Sequence, residues 1–100
     1  MNIPVHLMKD RYWSGTLHLF LNNAKLQRCL TTEYFDFEEC TIRITALKRL
    51  AKPWSQSERF MLELALHMFS EGNKVNLSDM DYLDSSNKAL VYEALRLRYG

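Results

Sequence analysis

Ser55-Gln56-Ser57-Glu58-Arg59-Phe60-Met61-Leu62-Glu63-Leu64-Ala65-Leu66-His67-Met68-Phe69-Ser70-Glu71-Gly72 carries the clearest helix signal in the chain. Ser55 followed three residues later by Glu58 spells a capping box, which satisfies two orphan backbone donors at a helix start. Pro53 upstream cannot continue a preceding helix, and Gly72 suits a left-handed residue beyond the last turn. The pattern predicts a helix over residues 56–71. Its polar residues Gln56, Arg59, Glu63, His67 and Ser70 recur at spacings of three and four, forming one narrow stripe. A helix apolar over the rest of its circumference is enclosed on several sides. This is the central, buried helix.

Working outward, Asp84 can cap a helix over residues 85–99. Leu90, Val91, Ala94, Leu95 and Leu97 supply its apolar face, while Arg96 and Arg98 complement the dipole in the last turn. Residues 77–83, with Leu77, Met80 and Leu83 at every third position, suit a single 3₁₀ or α turn begun by Ser78. Before Pro53, residues 36–51 carry Phe37, Cys40, Ile44, Leu47 and Ala51 at helical spacing. Acidic residues lead and basic ones follow, as the helix dipole favours. A rival strand runs through Thr41-Ile42-Arg43-Ile44-Thr45, where β-branched residues alternate with polar ones. The longer period favours a helix. Nearer the N-terminus, Leu17–Leu21 fits either a strand or a helix, and Asn22-Asn23 is a natural break. Two short helices, over residues 14–21 and 24–30, are the preferred reading. The expected fold is all-α, a compact bundle of about four to five helices in a single domain over residues 1–100.

Composition agrees with that class. The chain is 47% hydrophobic and 25% charged, unlike a disordered sequence. Three glycines and two prolines exclude collagen-like and low-complexity readings. The net charge of +1 excludes a strongly basic nucleic-acid binder on bulk charge, though it leaves local patches open. Cys29 and Cys40 form no CxxC, and no apolar run approaches the roughly 20 residues of a membrane span. The expectation is a cytoplasmic protein with reduced thiols, away from membranes.

Several segments taken together have a family likeness. They are the Leu17–Asn22 stretch, Tyr34-Phe35-Asp36-Phe37, Leu64-Ala65-Leu66-His67-Met68-Phe69 with Gly72-Asn73, and the ending Tyr82-Leu83-Asp84 through Asn87, Ala94, Leu95, Arg98 and Tyr99. From about Trp13 onward the chain resembles a family of small proteins of Firmicute bacteria and their phages. The sequence departs from it at Ala24-Lys25-Leu26-Gln27, where such proteins often carry an acidic, Asp-containing loop. The resemblance implies a phage or mobile-element origin and brings no chemistry with it.

Residue patterns that could carry chemistry have plainer explanations in this chain. Glu63, His67 and Glu71 stand at i, i+4 and i+8, but carboxylate-bridged metal bundles need Glu-x-x-His pairs from two helices. A solvated face explains them better. Asp79, Asp81 and Asp84 fail the EF-hand pattern, which requires a sixth-position glycine and a twelfth-position Glu. Capping and turn duty explains them instead. Cys40 on the apolar stripe is where an inert core cysteine sits. GxSxG, a Gly-rich phosphate loop and HExxH are all missing from the sequence. No catalytic, cofactor-binding or metal residues are assigned, no cofactor is expected, and the protein is read as a non-enzyme.

Two binding readings remain. Tyr12, Trp13, Trp54, Tyr92 and Tyr99 fall at element ends or outward positions, and aromatics so placed favour contacts with a protein partner or a second copy. The plainer alternative is that Trp13 and Trp54 cover the ends of the core. In the second reading, a helix-turn-helix-like trio presents Lys88, Tyr92 and Arg96 to nucleic acid. The neighbouring Asp79, Asp81 and Asp84 would repel phosphates there. Interaction or self-association is therefore the expected function, with nucleic-acid regulation as the alternative and a small enzyme or accessory subunit third.

Overall fold

The capping box forms as the sequence demands: Ser55 N–H donates to Glu58 Oε1 (3.0 Å) and Glu58 N–H to Ser55 Oγ (3.3 Å). The first of these bonds holds the Glu58 carboxyl below the usual carboxylate range. The structure is a computed structural model that describes residues 2–100. In chain order it comprises α1 (Val5–Met8), α2 (Ser14–Asn22), α3 (Ala24–Gln27), β1 (Phe35–Asp36), β2 (Thr41–Ile42), α4 (Ile44–Leu50), α5 (Gln56–Phe69), a 3₁₀ helix (Leu77–Tyr82) and α6 (Ser85–Tyr99). One continuous core runs from Leu7 to Ala94, and α5 gives it seven buried side chains. α2 lies between α5 and α6 and contacts both. Buried Thr16 ties α2 to α5 by donating its hydroxyl to Ala65 O (2.8 Å). No helix among the described residues is long and apolar enough to cross a membrane.

Helix-rich is therefore right, while strictly all-α is not. Seven helical segments and a two-stranded sheet are present among the described residues. The principal correction falls on residues 36–51, of which only Ile44–Leu50 is helical. Phe35 pairs with Ile42 and Asp36 with Thr41 in an antiparallel hairpin. Asp36 does not open a helix; its carboxylate accepts the Glu38 and Glu39 N–H groups (both 3.0 Å) and turns the chain. Cys40 closes that turn at φ 57°. It is exposed rather than a core cysteine, and the buried thiol is Cys29; both are free.

Smaller departures follow from local hydrogen bonding. α5 stops at Phe69, because Ser70 turns extended (φ −141°) and the His67 ring Nδ1 meets Asn73 O at 2.8 Å. Gly72 has no left-handed conformation to supply. α3 ends at Gln27 rather than near 30. Asn76, not Ser78, begins the 3₁₀ helix by accepting the Ser78 N–H (3.0 Å). Asp84 caps α6 through the Asn87 N–H (2.8 Å), so that helix has the expected limits.

Candidate interaction surface

The outer end of α2 is organised by Asp10, whose carboxylate accepts the N–H groups of Tyr12 (2.8 Å) and Trp13 (3.2 Å). The resulting turn sends the two aromatics opposite ways. Trp13 is only 4% exposed and packs edge-on against Phe69 (4.8 Å between centroids) and Phe37 (5.8 Å). It is a core residue, so its expected place on a contact surface passes to its neighbour. Tyr12 is 46% exposed.

Three residues beyond Tyr12, Gly15 lets α6 approach closely. A Cβ there would stand 2.8 Å from Ala94 O and 3.5 Å from the Arg98 Cβ. That approach brings Arg98 over α2 with its guanidinium carbon 4.5 Å from the Tyr12 ring centroid and 4.6 Å from that of Tyr99. Arg98 Nε donates to Met68 O near the end of α5 (3.2 Å), anchoring the group. Arg11 approaches the same Tyr12 ring at 5.2 Å. Cations over aromatic faces are held by the ring quadrupole, and the contact strengthens as water is excluded. The ends of α2, α5 and α6 thus meet in a tyrosine–arginine cluster.

Tyr99 extends the cluster onto the outer face of α6. Ala89, Tyr92, Arg96 and Tyr99 fall on one side of that helix, and all are exposed, Tyr92 by 60% and Tyr99 by 59%. Arg96 Nε donates to Glu93 Oε2 (2.9 Å). The hydrogen bond from Arg96 holds the Glu93 carboxyl below its usual range, and raises the guanidinium in turn. Lys88 is half-buried one turn before Tyr92 on the same side. α6 packs chiefly along α2, while the 3₁₀ helix rests on α5.

The remaining candidate, Trp54, lies elsewhere. It is half-buried with the Lys25 ammonium 5.1 Å from its ring, and Lys25 also pairs with Glu58 (3.7 Å). That arrangement braces α3 against the start of α5. Sequence reasoning placed Tyr92 and Tyr99 correctly at the surface, yet it missed Gly15 and the part Arg98 takes with Tyr12. The run Ser14-Gly15-Thr16 at a helix entry was the available signal, since glycine permits a close backbone approach. Among the described residues, hollows of about 500, 220, 390 and 310 Å3 open on the surface, and none of these is lined by a histidine. No family model, curated protein or solved structure matches the chain.

Proposed function

We propose that the protein is a non-enzymatic interaction module that docks a protein partner, a second copy included, through Tyr12, Tyr92, Arg98 and Tyr99. The observation that carries this reading is the Arg98 guanidinium held against two half-exposed tyrosine rings. Tyrosine and arginine dominate interface hot spots because each presents a large contact area beside a polar group. Here Tyr92, Arg98 and Tyr99 stand on α6, Tyr12 is held in the Asp10 turn and Arg98 is tied to α5, so little freedom is lost on binding. Light scattering after size-exclusion chromatography, from about 1 µM to about 1 mM, spans contacts of roughly −8 to −4 kcal/mol. A mass that rises with concentration in the wild type, and stays monomeric when Tyr12 and Tyr99 are both changed to Ser, is the expected result. A strictly monomeric wild type removes self-association. Photo-crosslinkers at positions 92 and 99 that capture no discrete partner in the source cell would then remove the reading as a whole.

A second reading has one observation in its favour: Lys88, Tyr92 and Arg96 share one side of α6. If that side meets nucleic acid, random duplex binds at low salt and is released steeply as salt rises. The engagement of Arg96 by Glu93 weighs toward the protein contact.

A further inference from the structure

The hollow of about 220 Å3 lies away from the tyrosine–arginine cluster and has a different chemistry. Exposed Lys48, Lys52, Arg59 and Lys74 line it together with buried Ala51 and Leu62 and the half-buried Glu63. The four cations come from three stretches of chain: the end of α4 and the residue pair beyond it, the first half of α5, and the segment after α5. Ion pairs among the described residues join Lys25 to Glu58 and Glu93 to Arg96, so none of the four is neutralised by a carboxylate. Four cations against one carboxylate give the hollow a local balance of +3. The whole chain carries +1, so everything outside the hollow sums to −2. Unpaired like charges brought together around a concavity repel one another and focus an attractive field on an anion.

We propose that this hollow is an anion site that takes a diphosphate group. Its volume falls below the roughly 300–1,000 Å3 of pockets that enclose drug-sized molecules, so it suits a compact anion rather than a ring system. A single phosphate ester brings about −1.5 to −2 at neutral pH and leaves part of the charge unmet; two linked phosphoryl groups match it more closely. Arg59 offers a planar fork that can hold two oxygens at once, while the lysines act as mobile point charges. The apolar lining lowers the local dielectric and strengthens each attraction. The half-buried Glu63 repels oxygens and thereby restricts where in the hollow the anion sits.

Titration of ¹⁵N-labelled protein with pyrophosphate at low ionic strength tests this site, with sulfate at matched ionic strength as the control. Saturable shifts at the amides of Ala51, Lys52, Leu62, Glu63 and Lys74 are expected. Arg59→Gln should weaken binding about tenfold, the effect of losing one charge-assisted pair. Glu63→Gln should tighten it, and Arg28→Gln, outside the hollow, should leave it unchanged. The substituted side chains are solvent-accessible, and a thermal melt of each variant confirms that it is folded. Adenosine diphosphate in a parallel arm identifies the source: tighter binding than pyrophosphate places the group on a nucleotide, and weaker binding makes it free diphosphate. Failure of both to saturate overturns the proposal. So do shifts that sulfate reproduces, or affinity that Arg59→Gln leaves intact.

Discussion

Gly15 shows how one missing side chain shapes a surface. Its backbone lies so close to α6 that an added Cβ would be 2.8 Å from Ala94 O and 3.2 Å from Met68 Sδ. The sulfur can move aside, but the carbonyl belongs to a helix and cannot. Two effects therefore compete in Gly15→Ala. Alanine is the better helix former by about 1 kcal/mol, while overpacking a tight contact costs about 1–3 kcal/mol. With helix backbone as the obstacle the second effect wins, and a net loss of about 1 kcal/mol is expected. In a domain of this size each 1 kcal/mol shifts Tm by about 4–8 °C, so calorimetry resolves the change. The variant should also loosen Arg98 from Tyr12, since both depend on the same helix approach. An unchanged or higher Tm would show that α6 yields easily, and the account of the cluster would fall with it. Nothing in the composition singled this glycine out; its meaning comes from α6, some eighty residues further along the chain.

At the scale of elements, legibility follows how locally each helix is determined. α5 and α6 were readable because their N-terminal caps and periodicity lie within the same short stretch of chain. Residues 36–51 were not, because the same letters satisfy both a 3.6-residue and a two-residue period. Tertiary packing decides between them: Phe35 is buried and meets Phe20 edge-on at 4.9 Å, which a helix beginning at residue 36 gives no reason to expect. The hairpin has a cost, since Cys40 must take φ 57°, which is uncommon for a residue with a Cβ. Glycine adopts that conformation freely, so Cys40→Gly removes strain of about 1–2 kcal/mol. It also adds freedom to the unfolded chain, which returns about 0.4–1 kcal/mol. A net gain of roughly 0.5 kcal/mol or more is expected in denaturant titrations. Cys40→Ala is the control, because it removes the thiol and keeps the strain. If alanine stabilises as much as glycine, the sulfur and not the backbone is responsible, and the reading of the turn is mistaken.

For the whole molecule, the question is which element holds the chain together. The Cα radius of gyration, 12.5 Å, is close to the about 13 Å of a compact 100-residue domain, so among the described residues no segment stands apart from the core. The two ends of the chain nevertheless contribute unequally. α1 buries only Leu7, whereas α6 places Val91 and Ala94 wholly inside, with Leu90 and Leu95 packed against the core. α6 also covers α2, whose Ser14, Gly15, Thr16, Leu17, Leu19 and Phe20 are all buried. Losing α1 removes about one large buried side chain, a cost of about 2–5 kcal/mol, which a domain stable by about 5–15 kcal/mol can survive. Losing α6 uncovers α2 and takes a share of the apolar burial that a chain this small cannot spare. A chain ending at Leu83 should therefore show no cooperative thermal transition. One that starts at Asp10 after an initiator Met should unfold cooperatively at a lower Tm. A sharp transition in the shorter C-terminal truncation would mean that α2, α5 and the hairpin form a core without α6. The cluster at Tyr12, Arg98 and Tyr99 would then be an accessory to the fold, free to move when a partner binds, rather than part of what holds the fold together.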